Sequence, residues 1–210
     1  MAANVYHAQP LVQPVASRLH QFDPQWLAAE YRKLEPYPWM RHPANHLHDN
    51  AWYALPLVAV DGAMANMIAM VGECRPTPAL LETQAFKPVL DFFQGPYKRV
   101  RLLWLQAGGS IREHTDDRFY GEQETVNIHV PIHTNNDVQF VVGGRQFHMS
   151  PGECWCIDTF QTHSVSNRGS TDRIHLVMHC VINPFITELL AKAPLSLYSH
   201  GDTSGAVGSP

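Results

Sequence analysis

Between residues 97 and 182 the chain breaks into short runs of β-branched and aromatic residues, each closed by a turn signal. The runs cover residues 97–106, 125–132, 137–142, 145–149, 153–158 and 173–182. Gly108-Gly109, Asn135-Asn136, Gly143-Gly144, Pro151-Gly152 and Asn167-Arg168-Gly169 separate them. Gly143-Gly144, between Val142 and Arg145, is a two-residue hairpin signal, because glycine accepts positive φ at both turn positions. Short strands at regular spacing predict a β-sandwich or a barrel.

The preceding segment mixes helices with one or two strands. Asp23-Pro24 predicts a helix start, with Asp as N-cap and Pro in the first turn. Trp26, Leu27, Glu30, Tyr31 and Leu34 follow at helical spacing until Pro36 and Pro38 end the run. Residues 51–60 read as a strand in which Pro56 requires an edge or a bulge. Thr77-Pro78 repeats the cap signal and opens a helix to about residue 85. Pro88 starts a further turn that Gly95-Pro96 closes. Asn183-Pro184 caps a last helix over 185–193. The first 20 residues read as loop, as does His42–His48, and the Gly/Ser-rich 199–210 reads as a flexible tail. The expected organisation is one structural domain: a helical and strand region over 1–96 packing on a core over 97–182, a C-terminal helix over 183–198, and the tail.

Composition removes several function classes. Hydrophobic residues at 45% are enough for a core and exclude wholesale disorder. A net charge of −4 argues against a basic nucleic-acid surface. No apolar run reaches the roughly 18 residues of a spanning helix, and the start lacks a basic-then-apolar secretory pattern. Without an export signal, Cys74, Cys154, Cys156 and Cys180 read as reduced thiols of a cytoplasmic protein. Cys154 and Cys156 have neither redox nor zinc-knuckle spacing and read as small buried hydrophobes.

The chain carries 13 histidines, and histidine is the commonest metal ligand, so spacing must decide their use. A His-x-Asp pair is expected by chance in such a composition. A second one, His200-Gly201-Asp202, lies in the tail with no histidine after it. The informative set is ordered: His114-Thr115-Asp116, then His163, then Arg173, each at a strand edge. Two imidazoles and one carboxylate on one face leave three positions open, the arrangement of non-haem Fe(II) oxygenases. Those vacancies suit two oxygens of a 2-oxo acid and one dioxygen. The far carboxylate of such a cosubstrate needs a fixed cation, and arginine offers a planar, permanently charged fork.

The segments "RVRLLWLQAGGSIREHTD", "VNIHVPIHTN", "GECWCID", "THSVSN" and "RIHLVMH" resemble the aspartyl/asparaginyl β-hydroxylase-like branch of the 2-oxoglutarate dioxygenases. Their arrangement also resembles the proline cis-4-hydroxylases of that branch. The resemblance implies a mainly β fold: a double-stranded β-helix (jelly roll, cupin-like) with flanking N-terminal helices and a short C-terminal helix. It implies Fe(II), 2-oxoglutarate and dioxygen, with His114, Asp116 and His163 as metal ligands and Arg173 on the far carboxylate. His129 in "NIH" matches the histidine of the family's "RLH" and is expected to contact the cosubstrate; the arginine of that motif is replaced by Asn127. The carboxylate of Asp116 disfavours the halogenating variant of the chemistry.

The implied activity is hydroxylation of an unactivated C–H bond in a small amino acid or amino-acid-derived metabolite, with release of succinate and CO2. No nucleic-acid or membrane partner is expected. The alternatives are a hydroxylase of a peptidyl residue and a non-oxygenase metal-binding cupin, such as an isomerase or ligand sensor. Arg99 and Arg101 share a strand face, and bind a substrate carboxylate if that face looks into the barrel mouth; otherwise they are surface charges. Arg118 and Tyr120 follow Asp116 on a stretch expected to border the pocket. Arg173, His175, Val177 and His179 alternate on one face, with His175 read as a neighbour of the site or a core histidine and His179 as structural. His46 and His48, with Asp49, suggest another metal site only weakly, and read instead as a solvated loop or as lining of the substrate entrance. Trp39 and Trp52 read as core, with capping of the cavity as the alternative.

Overall fold

The structure is a computed structural model and describes residues 15–68, 71–117, 119–120 and 123–193. The expectations for residues 1–14, for Arg118 and for the tail lie outside the described residues. The N-terminal part runs β1 (Ala16–Gln21), α1 (Pro24–Arg32), β2 (Met40–Arg41), β3 (Trp52–Val60), β4 (Cys74–Pro76), α2 (Pro78–Thr83) and α3 (Lys87–Phe93). There follow β5 (Tyr97–Leu105), β6 (Ser110–His114), β7 (Phe119–Tyr120), β8 (Gln123–His133), β9 (Val138–Val142) and β10 (Arg145–Phe147). The chain continues through β11 (Glu153–Ile157), β12 (His163–Asn167), β13 (Arg173–Val181) and α4 (Pro184–Lys192).

All the described pairings are antiparallel. The larger sheet runs β1-β11-β8-β13-β5-β3-β2, with β4 on β3 and β7 on β8; the smaller runs β10-β9-β12-β6. Period-two alternation on β13 sorts its residues between two cores. Ile174, Leu176, Met178 and Cys180 point to the outer face. There Leu27 of α1, Leu80 of α2, Phe93 of α3 and Leu190 of α4 cover them. Val177 joins Leu103, Leu105, Trp155 and Ile157 on the inner face, against Ile111, Phe140, Val142 and Val165 of the smaller sheet. The architecture is a mainly β jelly roll with helices on one outer face.

Arg173, His175 and His179 also lie on the inner face of β13, and all three are buried. A buried cation and two buried imidazoles in a jelly-roll interior oppose stability unless they serve a site. The inner core is therefore where function must be sought.

Local signals explain most of the elements. Asp23 accepts from the backbone N–H groups of Gln25 and Trp26, and Asn183 from that of Ile186. Gly143 and Gly144 take φ of 54° and 74°, and Val142 pairs with Arg145 across them. Pro56 sits at a register shift on β3, between the stretches paired with β2 and with β4. Thr77 makes no side-chain cap; its hydroxyl donates to the Pro56 carbonyl at 2.9 Å. The expectation of loop through residue 20 is corrected: Ala16–Gln21 is an edge strand on β11. Cys154 and Cys156 are buried as expected. No helix among the described residues is long and apolar enough to cross a membrane.

Candidate active site

His114 ends β6 and His163 begins β12, and the two are register partners in the smaller sheet. Their ring centroids lie 4.1 Å apart. Asp116 follows β6 by two residues, and its backbone N–H donates to the Thr159 carbonyl at 2.9 Å. That bond brings the carboxylate alongside the histidine pair. One donor atom from each of His114, Asp116 and His163 lies within 4.8 Å of the others.

The histidine tautomers follow from their neighbours. Nδ1 of His114 lies 2.8 Å from the Arg112 carbonyl, and Nδ1 of His163 lies 3.1 Å from that of Gln161. A carbonyl only accepts, so each Nδ1 carries the hydrogen and each Nε2 keeps its lone pair for a cation. Burial lowers the His163 pKa, with the Asp116 carboxylate opposing. Neutral imidazole is the metal-binding form. Two neutral imidazoles and a carboxylate fit a divalent transition metal, and three ligands leave positions open for others.

The triad lines a cavity of about 190 Å³ whose wall also includes Arg173, His129, Arg99, Arg101 and Trp52. Arg173 is 1% exposed. Its Nη2 donates to His175 Nδ1 at 2.9 Å, its guanidinium carbon sits 5.7 Å from the Phe140 ring centroid, and its Nε has no partner among the described residues. Burial pulls its pKa down to about 9, and no carboxylate pairs with it among the described residues. It is thus a desolvated cation at neutral pH, held by a neutral imidazole and facing a cavity. Its surroundings suit an anionic partner. His129, also on the wall, has no partner for Nδ1 among the described residues. Burial first, and then Arg173, push the pKa values of His129 and His175 well below the usual range.

Arg99 and Arg101 face the same interior. They pair with His179 and Val177 across β5 and β13, and both line the cavity. Their register partners stand six and four residues along β13 from Arg173, roughly 20 and 13 Å at about 3.3 Å per residue. The backbones of Arg99 and Arg101 thus stand well along β13 from Arg173, while all three side chains border one cavity. Arg101 Nη1 donates to the Met67 carbonyl at 3.3 Å, and both guanidinium groups come within 3.4 Å of His179. His179, read as structural and further from the site, also lines the cavity. Trp52 is core and cavity wall together: His42 stacks on it at 3.5 Å and 12°. Burial and then Arg101 push the His42 pKa down to about 2.

Other expected positions fall elsewhere. Tyr120 lies on β7, paired with Gln123. The solvated-loop reading of His48 is corrected: it is 3% exposed, donates from Nε2 to the His42 carbonyl at 2.9 Å and bridges to Ile111. Asp49 pairs instead with Arg112. Trp39 packs on Tyr31 and Trp104. Sequence reasoning missed His42 and Thr159. Both sit in irregular segments, where no periodicity signals which way a side chain faces.

No curated protein matches the sequence. Among solved structures, a 2OG-Fe(II) oxygenase family oxidoreductase from Burkholderia pseudomallei aligns with a TM-score of 0.54 and 16% identity, covering 76% of this chain and 79% of that one. That likeness supports the fold. A prolyl-4-hydroxylase from Pseudomonas putida aligns at TM-score 0.47 and 12% identity, over 82% and 94% of the two chains. The profile of the aspartyl/asparaginyl beta-hydroxylase family matches residues 24–182, from α1 to the end of the jelly roll and across every residue of the triad. The chain belongs to the aspartyl/asparaginyl beta-hydroxylase family, whose members are 2-oxoglutarate-dependent oxygenases using Fe(II) and dioxygen.

Proposed function

We propose that this protein hydroxylates an unactivated C–H bond of a small, carboxylate-bearing amino acid or amino-acid-derived metabolite, consuming 2-oxoglutarate and dioxygen and releasing succinate and CO2. The observation that carries the reading is the meeting of the His114–Asp116–His163 triad and the buried Arg173 at one cavity. A metal-binding cupin with no anionic cosubstrate would gain nothing from burying Arg173, and such burial is costly.

The residues divide the work. His114, Asp116 and His163 would hold the metal. Bound Fe(II) supplies the activation of dioxygen that oxidative decarboxylation and hydroxylation need. Arg173, steadied by His175, receives the far carboxylate of 2-oxoglutarate as a charge-assisted pair, and His129 offers it a further polar contact. Phe140, Val165 and Val177 line the same space and keep water from it. Arg99 and Arg101 bring further positive charge to the same cavity, and they take the carboxylate of the substrate. The small cavity favours a metabolite over a peptide, which would need an open groove.

Two experiments test this. Anaerobic addition of Fe(II) and 2-oxoglutarate should give a weak visible charge-transfer band that Arg173→Ala diminishes. Succinate release should then be screened across free amino acids, their derivatives and short peptides. Turnover with a free amino acid or derivative is the expected result. Turnover with peptides alone would transfer the activity to peptidyl residues, and no band with the fold intact would overturn the oxygenase reading.

A further inference from the structure

Asp116 lies on an irregular segment, yet a metal-binding carboxylate must present one oxygen in a fixed direction. Three contacts bear on how this chain achieves that. The backbone N–H of Asp116 donates to the Thr159 carbonyl at 2.9 Å. Its side-chain Oδ2 accepts from Asn127 Nδ2 at 3.0 Å. The same amide nitrogen contacts Thr159 Oγ1. Asn127 and Thr159 are each 1% exposed. Asn127 stands on β8, a strand paired on both sides within the larger sheet, by β11 and by β13.

Resting on the metal site proposed above, we infer that Asn127 is a positioning residue: its amide, seated on Thr159, holds Oδ2 of Asp116 and leaves Oδ1 for the metal. The two hydrogens of the amide are both used, one on the carboxylate and one on the hydroxyl. Oδ1 of Asn127 itself is buried without a partner among the described residues. Turning the amide would set its oxygen against the carboxylate, so the donor side stays on Asp116 and the acceptor side finds no partner among the described residues, a cost that asks for a functional explanation. With one oxygen held by the amide, the carboxylate would present its other oxygen to the cation in a fixed direction.

The residue type is informative as well. A cationic side chain against Asp116 would neutralise the ligand. A neutral amide directs the carboxylate and leaves its charge for the cation. Partners that orient metal ligands in this way are worth about 10- to 100-fold in affinity.

The test is Mn(II) titration of the full-length, metal-free chain, read by the free-ion EPR signal and by the spectrum of bound Mn(II). His163→Ala serves as the control that removes the site. Asn127→Leu keeps side-chain shape and removes the donor, and Thr159→Val removes only the seat of the amide. Asn127→Leu should raise the Mn(II) Kd about 10- to 100-fold and change the spectrum of the bound ion. Its metal-free melting temperature should stay within about 5 °C of the parent. Thr159→Val should raise the Kd by a smaller factor. A folded Asn127→Leu with parental Kd and spectrum overturns the inference. Should Asn127→Leu not fold, Thr159→Val decides, and an unchanged Kd there overturns it. If the parent chain binds no Mn(II), or binds it equally well as His163→Ala, the metal site fails and this inference falls with it.

Discussion

His114 and His163 occupy one rung of the smaller sheet, the first closing β6 and the second opening β12, with ring centroids 4.1 Å apart. Strand pairing, rather than loop placement, fixes their separation. Their geometry therefore survives without a ligand, and a metal meets a preorganised pair.

Loss of either histidine should be close to complete for metal binding. His114→Ala and His163→Ala are expected to abolish Mn(II) or Fe(II) binding and succinate production. Calorimetric titration with Mn(II) and a circular dichroism check of folding measure this. Metal binding retained in a folded His163→Ala chain would refute its assignment as a ligand.

Arg173 should show opposite effects on binding and stability. The guanidinium is buried without a carboxylate, so Arg173→Met should stabilise the ligand-free protein by about 1 kcal/mol or more. The same change should weaken 2-oxoglutarate binding by about 30-fold or more, the usual result of deleting one member of a buried charge pair. Urea melts and equilibrium titration read the two effects separately. Destabilisation together with unchanged cosubstrate affinity would mean that Arg173 serves packing alone.

Acid should unfold the chain readily. Burial, followed by neighbouring arginines, lowers the pKa values of His42, His129, His175 and His179. In the native state these imidazoles bind fewer protons than in the unfolded chain, so stability is full above about pH 6.5 and falls below it. Each contributes a slope of about 1.4 kcal/mol per pH unit until its folded pKa is reached, which for His42 lies at about 2. Urea midpoints should therefore drop steeply between pH 7 and pH 5. A flat profile over that range would show that these histidines become protonated in the folded protein.

The roles of Arg101 and Arg173 should be separable by mutation. Arg101→Met is expected to raise KM for a carboxylate-bearing substrate about 10-fold or more while the Kd of 2-oxoglutarate stays put, because charge-assisted hydrogen bonds contribute about 1.5–3 kcal/mol. Steady-state kinetics with the substrate from the amino-acid screen, alongside cosubstrate titration, gives both numbers. Equal loss at both ligands would place Arg101 on the cosubstrate instead.

Sequence pattern and structure diverge for identifiable physical reasons. β5, β8 and β13 are buried on both faces, so their apolar runs stand out in the sequence. β1 lies at the sheet edge, and its polar Arg18, His20 and Gln21 disguise it as loop. The ordered His114, Asp116, His163 and Arg173 were legible because strand ends fix their spacing. His48 read as solvated because burial by a tertiary contact to Ile111 leaves no local trace. The facing of Arg99 and Arg101 needed the pairing of β5 with β13, since alternation gives a shared face without saying which face lies inside. Asn127 was visible only as a departure from a motif, and its bond to Asp116 spans two separate elements.

The central claim is that one cavity holds a metal and a dicarboxylate at once. Diffraction from crystals grown with Mn(II) and 2-oxoglutarate, recorded to detect the anomalous signal of manganese, tests it most directly. The account predicts a single manganese peak between His114, Asp116 and His163, with the far carboxylate of the cosubstrate on Arg173. A peak elsewhere, or a cosubstrate whose carboxylate avoids Arg173, would contradict it.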